Sequence, residues 1–282
     1  MKIFQTHRIS KHPLRLYLTP SHFLGIFAFI AAFLLFFINI HLAILPLAIF
    51  ILICLIAPFF PKFSFFLPII TSGISEKQAV ALTFDDGPDP QTTLLLLNLL
   101  SRYNVKATFF VTGEKTDKYP ELINKILTSG HSIGNHSYSH DPFIMLKSVH
   151  RLREEIEKTQ KSLQKQGITP LVFRPPVGIT NPKLYKILDM KELSCVNFNR
   201  RAKDRGNKRV NHLSEIILKH VKANDIILLH DKAPKKDSEL NTWIMEIEKL
   251  LSGISYKGLI FLPLSEIIGS PVMKITNTKR SA

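Results

Sequence analysis

Apolar residues follow two different patterns along this chain. Over residues 21–61 there is no Asp, Glu, Lys or Arg, and Phe, Ile, Leu and Ala succeed one another with no polar face. A helix of about 20 mostly apolar residues crosses a bilayer core. Residues 23–40 and 42–60 are two such runs, parted at Asn39-Ile40-His41. A signal peptide has one apolar core of roughly 7–15 residues followed by a small-residue cleavage site, and this stretch is far longer and lacks such a site. The pattern predicts a transmembrane segment over 21–61, best read as a tight hairpin of two short helices. One long tilted helix with an interfacial segment is the second choice. Pro46 and Pro58 are tolerable there, because neighbouring groups in a membrane helix can satisfy the freed carbonyls.

Farther on, apolar residues come in short bursts separated by polar ones. Strands are expected over 77–84, 107–111, 131–134, 171–173, 195–198, 225–229 and 258–262. Helices are expected over 92–103, 119–129, 148–166, 181–190, 212–221 and 241–252. Strands that alternate with helices predict an α/β domain with a parallel sheet, open or closed as a barrel. The 282 residues give room for one sizeable domain and an extra segment. The expected order is a basic N-terminal segment (1–20), the transmembrane segment (21–61), a linker (62–76), the α/β domain (77–270) and a C-terminal tail (271–282).

The formal charge of +15 raises the question of nucleic acid. Five positive charges (Lys2, Arg8, Lys11, Arg15 and Lys62) precede the first acidic residue, Glu76, and the rest of the excess is scattered rather than gathered in one stripe. Nucleic-acid binding is therefore not expected. The densest clusters, Arg200-Arg201-Ala202-Lys203 with Lys208-Arg209, and residues 232–236, suit anionic lipid or an acidic glycan. Two cysteines, Cys54 and Cys195, are too few for a structural zinc site.

In α/β folds of this kind, functional groups collect where strands end. Asp85, Asp86, His136, Arg174, Asp204 and His230 all follow expected strands. His136-Ser137-Tyr138-Ser139-His140 spaces two imidazoles by four residues, which in a helical turn places both on one face, as a metal site requires. A carboxylate from Asp85-Asp86 could complete three ligands and leave an open coordination position. Adjacent side chains leaving a strand point in different directions, so one aspartate can bind metal while the other faces substrate.

Thr83-Phe84-Asp85-Asp86-Gly87-Pro88, His136-Ser137-Tyr138-Ser139-His140, Arg174-Pro175-Pro176-Val177-Gly178 and Leu228-Leu229-His230-Asp231 occur in that order. Together they resemble the polysaccharide deacetylase family, the NodB-homology or carbohydrate esterase family 4 domain. The resemblance runs from about Ala79 to Leu264 and leaves out the membrane segment. It implies an irregular (β/α) barrel and a metal-dependent hydrolase that removes N-acetyl groups from amino sugars of peptidoglycan or a surface polysaccharide. It also implies one divalent metal ion, usually zinc, on Asp86, His136 and His140. Asp85 matches the general base, Arg174 the residue that holds it, and His230 the general acid. Asp204 matches the aspartate that orients that acid, and Val177 with Pro176 the oxyanion and substrate contacts. Where the family usually carries an aromatic residue, Val177 stands, and in place of the tryptophans of the fourth motif there is Asn197-Phe198-Asn199-Arg200-Arg201-Ala202-Lys203-Asp204-Arg205. A deacylase of a lipid-linked sugar at the membrane is the alternative enzyme. A catalytically inactive glycan-binding protein is the alternative of another class, and the full set of aspartates, histidines and Arg174 speaks against it. The four basic residues before the first apolar run favour a cytoplasmic N-terminus, while the family favours an external domain.

Overall fold

A computed structural model describes residues 18–276; Lys2, Arg8, Lys11, Arg15 and residues 277–282 lie outside the described residues. The described residues divide into two compact units, on either side of the boundary between Cys54 and Leu55.

The first unit holds helix α1 (Pro20–Phe36) and most of helix α2 (Ile40–Ile56), joined by a short turn. The buried positions of α1 are Gly25, Ala28 and Ala32, three small residues on one face. A side chain at Gly25 would come within 3.1 Å of the Phe50 ring of α2. Helices without a polar face associate in this way, because small residues let backbones approach. Phe23, Phe27 and Phe33 stay exposed. With the 3₁₀ turn Ala57–Phe59 that follows α2, the run Ile40–Phe59 is 20 residues long, has a mean hydropathy of 2.9, and is long and apolar enough to cross a membrane. Helix α1 is apolar but has only 17 residues. The two expected helices are present, and one of them reaches spanning length.

The second unit begins with β1 (Ile69–Ile70), β2 (Ala79–Gly87), α3 (Thr93–Arg102), β3 (Thr108–Val111), α4 (Gly113–Lys118), α5 (Pro120–Thr128) and β4 (Ser132–Asn135). It continues through α6 (Val149–Gln164), β5 (Ile168–Pro170), β6 (Val172–Phe173), α7 (Pro182–Met190), β7 (Ser194–Val196), β8 (Arg200–Arg201) and α8 (Leu213–Leu218). Strand β9 (Ile226–His230), α9 (Leu240–Tyr256), β10 (Ile260–Phe261), α10 (Leu264–Ile268) and β11 (Met273–Ile275) complete it. The main sheet runs β1-β7-β6-β4-β3-β2-β9-β8, with β10 also pairing β2, and its ladders are parallel. Among the described residues no ladder joins β1 to β8, so the expected barrel is an open, curled half-barrel.

Strand β2 is an interior strand between β3 and β9 and is buried along its whole length. Both faces are covered, as continuous apolar strands require. Val80, Leu82 and Phe84 point into the core under α3, α8 and α9, while Ala79 and Ala81 point into a second cluster with Phe110, Val196 and Leu228. Phe84 stacks on Phe109 with ring centroids 5.1 Å apart, and Trp243 is fully buried beside them.

Two expected boundaries shift. The linker contains Phe65, Phe66 and Leu67, all buried, and its Ile69–Ile70 pairs with Cys195 and Val196 of β7. A run this apolar gains more from the sheet than from water. The tail contributes β11, antiparallel to β5, with Val272 buried before it.

Candidate metal centre and active site

The site is built where β2, β4, β6 and β9 end. A bulge interrupts the β2–β3 register between Asp85 and Gly87, and Asp86 sits at φ 71°, in the left-handed region that aspartate tolerates better than most residues. Bulges re-aim side chains. The two carboxylates were expected to point apart, yet both reach His136 Nε2, Asp85 Oδ2 at 3.7 Å and Asp86 Oδ1 at 3.6 Å. Their other partners differ. Asp85 Oδ1 accepts a 2.7 Å hydrogen bond from Arg174 Nη1, while Asp86 Oδ1 lies 3.1 Å from His140 Nε2.

His136 follows β4 and is buried. Its Nδ1 is 2.7 Å from the carbonyl oxygen of Arg174, which can only accept, so Nδ1 carries the hydrogen and Nε2 faces the carboxylates. His140 arrives differently from the expectation. The segment between the two histidines is a loop, not a helical turn, with Ser137 at φ 65° and His140 at φ 54°. Two reversals of the backbone bring the ring centroids to 4.9 Å. One ligand atom each from Asp86, His136 and His140 can be chosen so that all lie within 4.8 Å of one another.

These residues suit a divalent cation. With bonds of about 2.0–2.2 Å, ligand atoms around a zinc ion lie roughly 3.4 Å apart, close to the 3.1 and 3.6 Å found between Asp86 and the imidazoles. Asp86 Oδ1 is buried and accepts no hydrogen bond among the described residues. Burial disfavours its charge, yet the imidazoles of His136, His140 and His230 hold its carboxyl well below the usual range. Burial, helped by His136, pushes His140 down to about 4, leaving a neutral ring with a lone pair to give. Burial opposes a charge on His136 as well, but Asp85 and Asp86 outweigh it and raise its pKa. The group as a whole attracts positive charge.

Arg174, after β6, has no exposed surface. Its Nη1 also donates to Thr83 Oγ1, its Nε to Val196 O and its Nη2 to Asn197 O, and the guanidinium lies 3.9 Å from the Phe110 ring centroid. Its bonds to Thr83 of β2, Val196 of β7 and the neighbouring Asn197 hold the guanidinium, so Arg174 fixes Asp85 in turn. On the opposite side His230 closes β9, and its Nδ1 is 2.7 Å from Asp204 Oδ2. Burial alone would lower the His230 pKa, but the Asp204 hydrogen bond and charge, with Asp86 and Asp85, raise it to about 9. Asp231 turns away from the site, and burial pushes its carboxyl up to about 7 against the hydroxyls of Thr92 and Thr93.

A 740 Å³ pocket collects Asp85, Asp86, His136, His140, Val177, Asp204 and His230. Val177 is half exposed at φ 53°. Pro176 is buried and does not line the pocket. Three supporting residues were not singled out in the sequence. Glu155 of α6 accepts from the backbone N–H groups of Tyr138 and Ser139 at 3.0 and 2.8 Å, which holds the histidine loop. Its signal was a carboxylate on the apolar stripe of that helix, among Leu152, Ile156 and Leu163. Asn135 accepts from Ser137 N, and Asn207 donates to the carbonyls of His230 and Lys232; isolated asparagines carry no such signal.

Comparison with known proteins shows the family. The polysaccharide deacetylase family model matches residues 72–196. A peptidoglycan-N-acetylglucosamine deacetylase of Bacillus cereus is 31% identical over 196 residues, covering 69% of this chain and 90% of its own length. The peptidoglycan-N-acetylmuramic acid deacetylase PdaC of Bacillus subtilis is 41% identical over 115 residues, 40% of this chain and 24% of its own length. The crystal structure of the Bc1960 peptidoglycan N-acetylglucosamine deacetylase superposes with a TM-score of 0.66 at 30% identity, covering 72% of this chain and 94% of that one. Sequence and fold thus agree, and the chain belongs to the polysaccharide deacetylase family.

Proposed function

We propose that this protein is a metal-dependent hydrolase that removes the N-acetyl group from an amino sugar of a glycan such as peptidoglycan or a surface polysaccharide. The observation that carries this reading is one pocket holding a three-residue cation set, a carboxylate fixed by a buried arginine, and an imidazole charged by a second carboxylate. The names of the relatives supply the substrate class.

Asp86, His136 and His140 would hold the cation, with zinc the first candidate and cobalt, nickel or manganese compatible with the same donors. A divalent cation there supplies Lewis acidity, polarising an acyl oxygen and acidifying water. Asp85 takes the proton of the attacking water, held in position by Arg174 Nη1. His230 delivers a proton to the departing amine, with Asp204 keeping the ring oriented through Nδ1 so that Nε2 is the donor. Val177 lines the acyl side of the pocket, where a backbone N–H can meet the developing oxyanion.

The raised pKa of His230 sets a pH dependence. The ring is protonated below about 9, so the acid works through neutral pH and fails as pH rises through that value. A raised pKa in the folded protein also means that the pair adds stability below about 6.5, and that this stability is lost as pH climbs toward 9. Asp204→Asn removes the first cause of the rise, so the alkaline limb of the kcat profile should move to lower pH. An unchanged limb would assign that titration to another group.

Mass spectrometry of N-acetylated peptidoglycan fragments and chitooligosaccharides, after incubation with the metal-loaded full chain, tests the activity. Acetyl groups exchanged for hydrogen support it, and intact substrates throughout refute it. We further propose that the helices of residues 21–61 anchor the protein in a bilayer. Their exposed apolar surface favours a second substrate reading, a lipid-linked amino sugar. Alkaline phosphatase fused after Ser75 reports an external catalytic domain by its activity, and a fluorescent reporter confined to the cytoplasm reports an internal one.

A further inference from the structure

The rim of the pocket is cationic in an ordered way. Along residues 201–210, Ala202, Asp204, Asn207 and Val210 are buried. Ala202 and Val210 enter the core, Asp204 binds His230, Asn207 binds two carbonyls, and the Arg209 N–H donates to Asp204 O at 3.0 Å. The solvent-facing positions beside and between these anchors are Arg201, Lys203, Arg205, Lys208 and Arg209, with Gly206 the exception. All five line the pocket, joined by Lys232 from the segment after His230. No described carboxylate lies within ion-pair distance of any of these six side chains. Arg200, one position earlier and outside the pocket, is paired with Asp225 at 2.8 Å. The three carboxylates of the pocket are already committed to Arg174, His230 and the imidazoles.

A loop fastened at four buried points, with a cation at nearly every position between them, is a built surface rather than a solvated one. Six like charges around one opening repel each other, and their arrangement focuses a positive potential into the cleft. Phe198 is the one phenyl, phenol or indole ring in the lining, and the Arg201 guanidinium lies 5.6 Å from its centroid, so little aromatic surface is left for stacking a neutral sugar chain. Several arginine forks and lysine point charges together suit phosphate better than a single carboxylate.

We propose that the substrate is a glycosyl phosphate, an N-acylated amino sugar whose anomeric oxygen carries a phosphate or diphosphate held by the 201–209 loop and Lys232. This rests on the deacylase reading of the same pocket. The chemistry is hydrolysis alone: water oxygen bonds to the acyl carbon, the C–N bond breaks, and the amine leaves with a proton while the phosphate ester stays intact. The phosphate could belong to a lipid carrier, a nucleotide or a free sugar phosphate.

The test uses the full chain in detergent, loaded with zinc. Farnesyl-diphosphate-linked N-acetylglucosamine, UDP-N-acetylglucosamine and N-acetylglucosamine 1-phosphate are compared with methyl N-acetylglucosaminide and chitotetraose. A KM lower by roughly tenfold to a hundredfold for phosphorylated substrates is expected, the worth of one charge-assisted hydrogen bond, with the gap narrowing at high salt. The variant Arg201→Gln/Lys208→Gln/Arg209→Gln should lose that gap, whereas Lys125→Gln/Lys161→Gln/Lys257→Gln, at exposed positions that do not line the pocket, should keep it. Preference among the phosphorylated substrates identifies the source of the phosphate. Equal KM values for neutral and phosphorylated sugars, or a gap that survives the loop variant, would overturn the proposal. Should no substrate turn over, the deacylase reading falls, and calorimetry with N-acetylglucosamine 1-phosphate decides the anion site by itself. Binding that the loop variant abolishes supports it, and no binding, or equal binding in both proteins, overturns it.

Discussion

Replacing His136 by alanine should yield a folded protein that no longer retains a divalent cation and has no measurable turnover. In the proposed site the imidazole would supply one of three ligand atoms, and its Nε2 lies within 3.7 Å of both carboxylates. Changes to groups that merely support a ligand already cost about 10–100-fold in metal affinity, so loss of the ligand itself should exceed that range. The variant also deprives the Arg174 carbonyl of the Nδ1–H donor, which leaves a buried acceptor unsatisfied at a cost of about 1–3 kcal/mol. Metal analysis after dialysis, with circular dichroism to verify folding, is the measurement. Metal content equal to that of the unaltered protein would show that His136 is not a ligand.

Asp85→Asn should separate the two aspartates. Asparagine keeps the shape of the side chain and an oxygen for Arg174 Nη1, but it cannot accept a proton from water. Turnover should fall by roughly 10²–10⁴, the usual worth of a general base, while metal content stays unchanged. Stability should fall too, because Arg174 is fully buried and loses its counter-charge. Removing one partner of a buried pair costs about 3–5 kcal/mol, and the retained hydrogen bond should keep the loss below that range. Loss of metal in this variant would mean that the roles of Asp85 and Asp86 are exchanged.

Much of this was legible in the sequence, for a physical reason. In a parallel sheet the chain leaves each strand at the same end of the domain, so residues that follow apolar bursts meet in space although they lie far apart in the chain. Asp85, His136, Arg174 and His230 met in that way. The approach of His140 was not legible, because spacing alone suits a helical turn and the observed loop depends on Glu155 of the distant α6. The bulge that turns both carboxylates toward His136 left no mark either, since Asp-Asp-Gly reads the same with or without it. Strands of two or three residues, such as Ile69–Ile70 and Met273–Ile275, are too short for periodicity to reveal. The expected linker and tail hid them. Alternation of strands and helices fixes their parallel pairing but not whether the ends meet, so the sheet was left open or closed until the structure showed an open half-barrel.

The place of β2 between β3 and β9 bears on how the protein is made. One neighbour, β3, follows it closely in the chain, with Thr83 paired to Thr108. The other, β9, comes much later, and the bond from Thr83 Oγ1 to Ile227 O spans 144 residues. At a ribosomal pace of about 5–20 residues per second, one edge of β2 waits roughly 7–30 s for its partner. That edge is Ala81-Leu82-Thr83-Phe84-Asp85, whose first four residues are uncharged and proline-free, of the kind that pairs readily with other chains. Chains released before residue 226 should therefore aggregate, and the nascent protein should depend on a chaperone until β9 emerges and closes the edge.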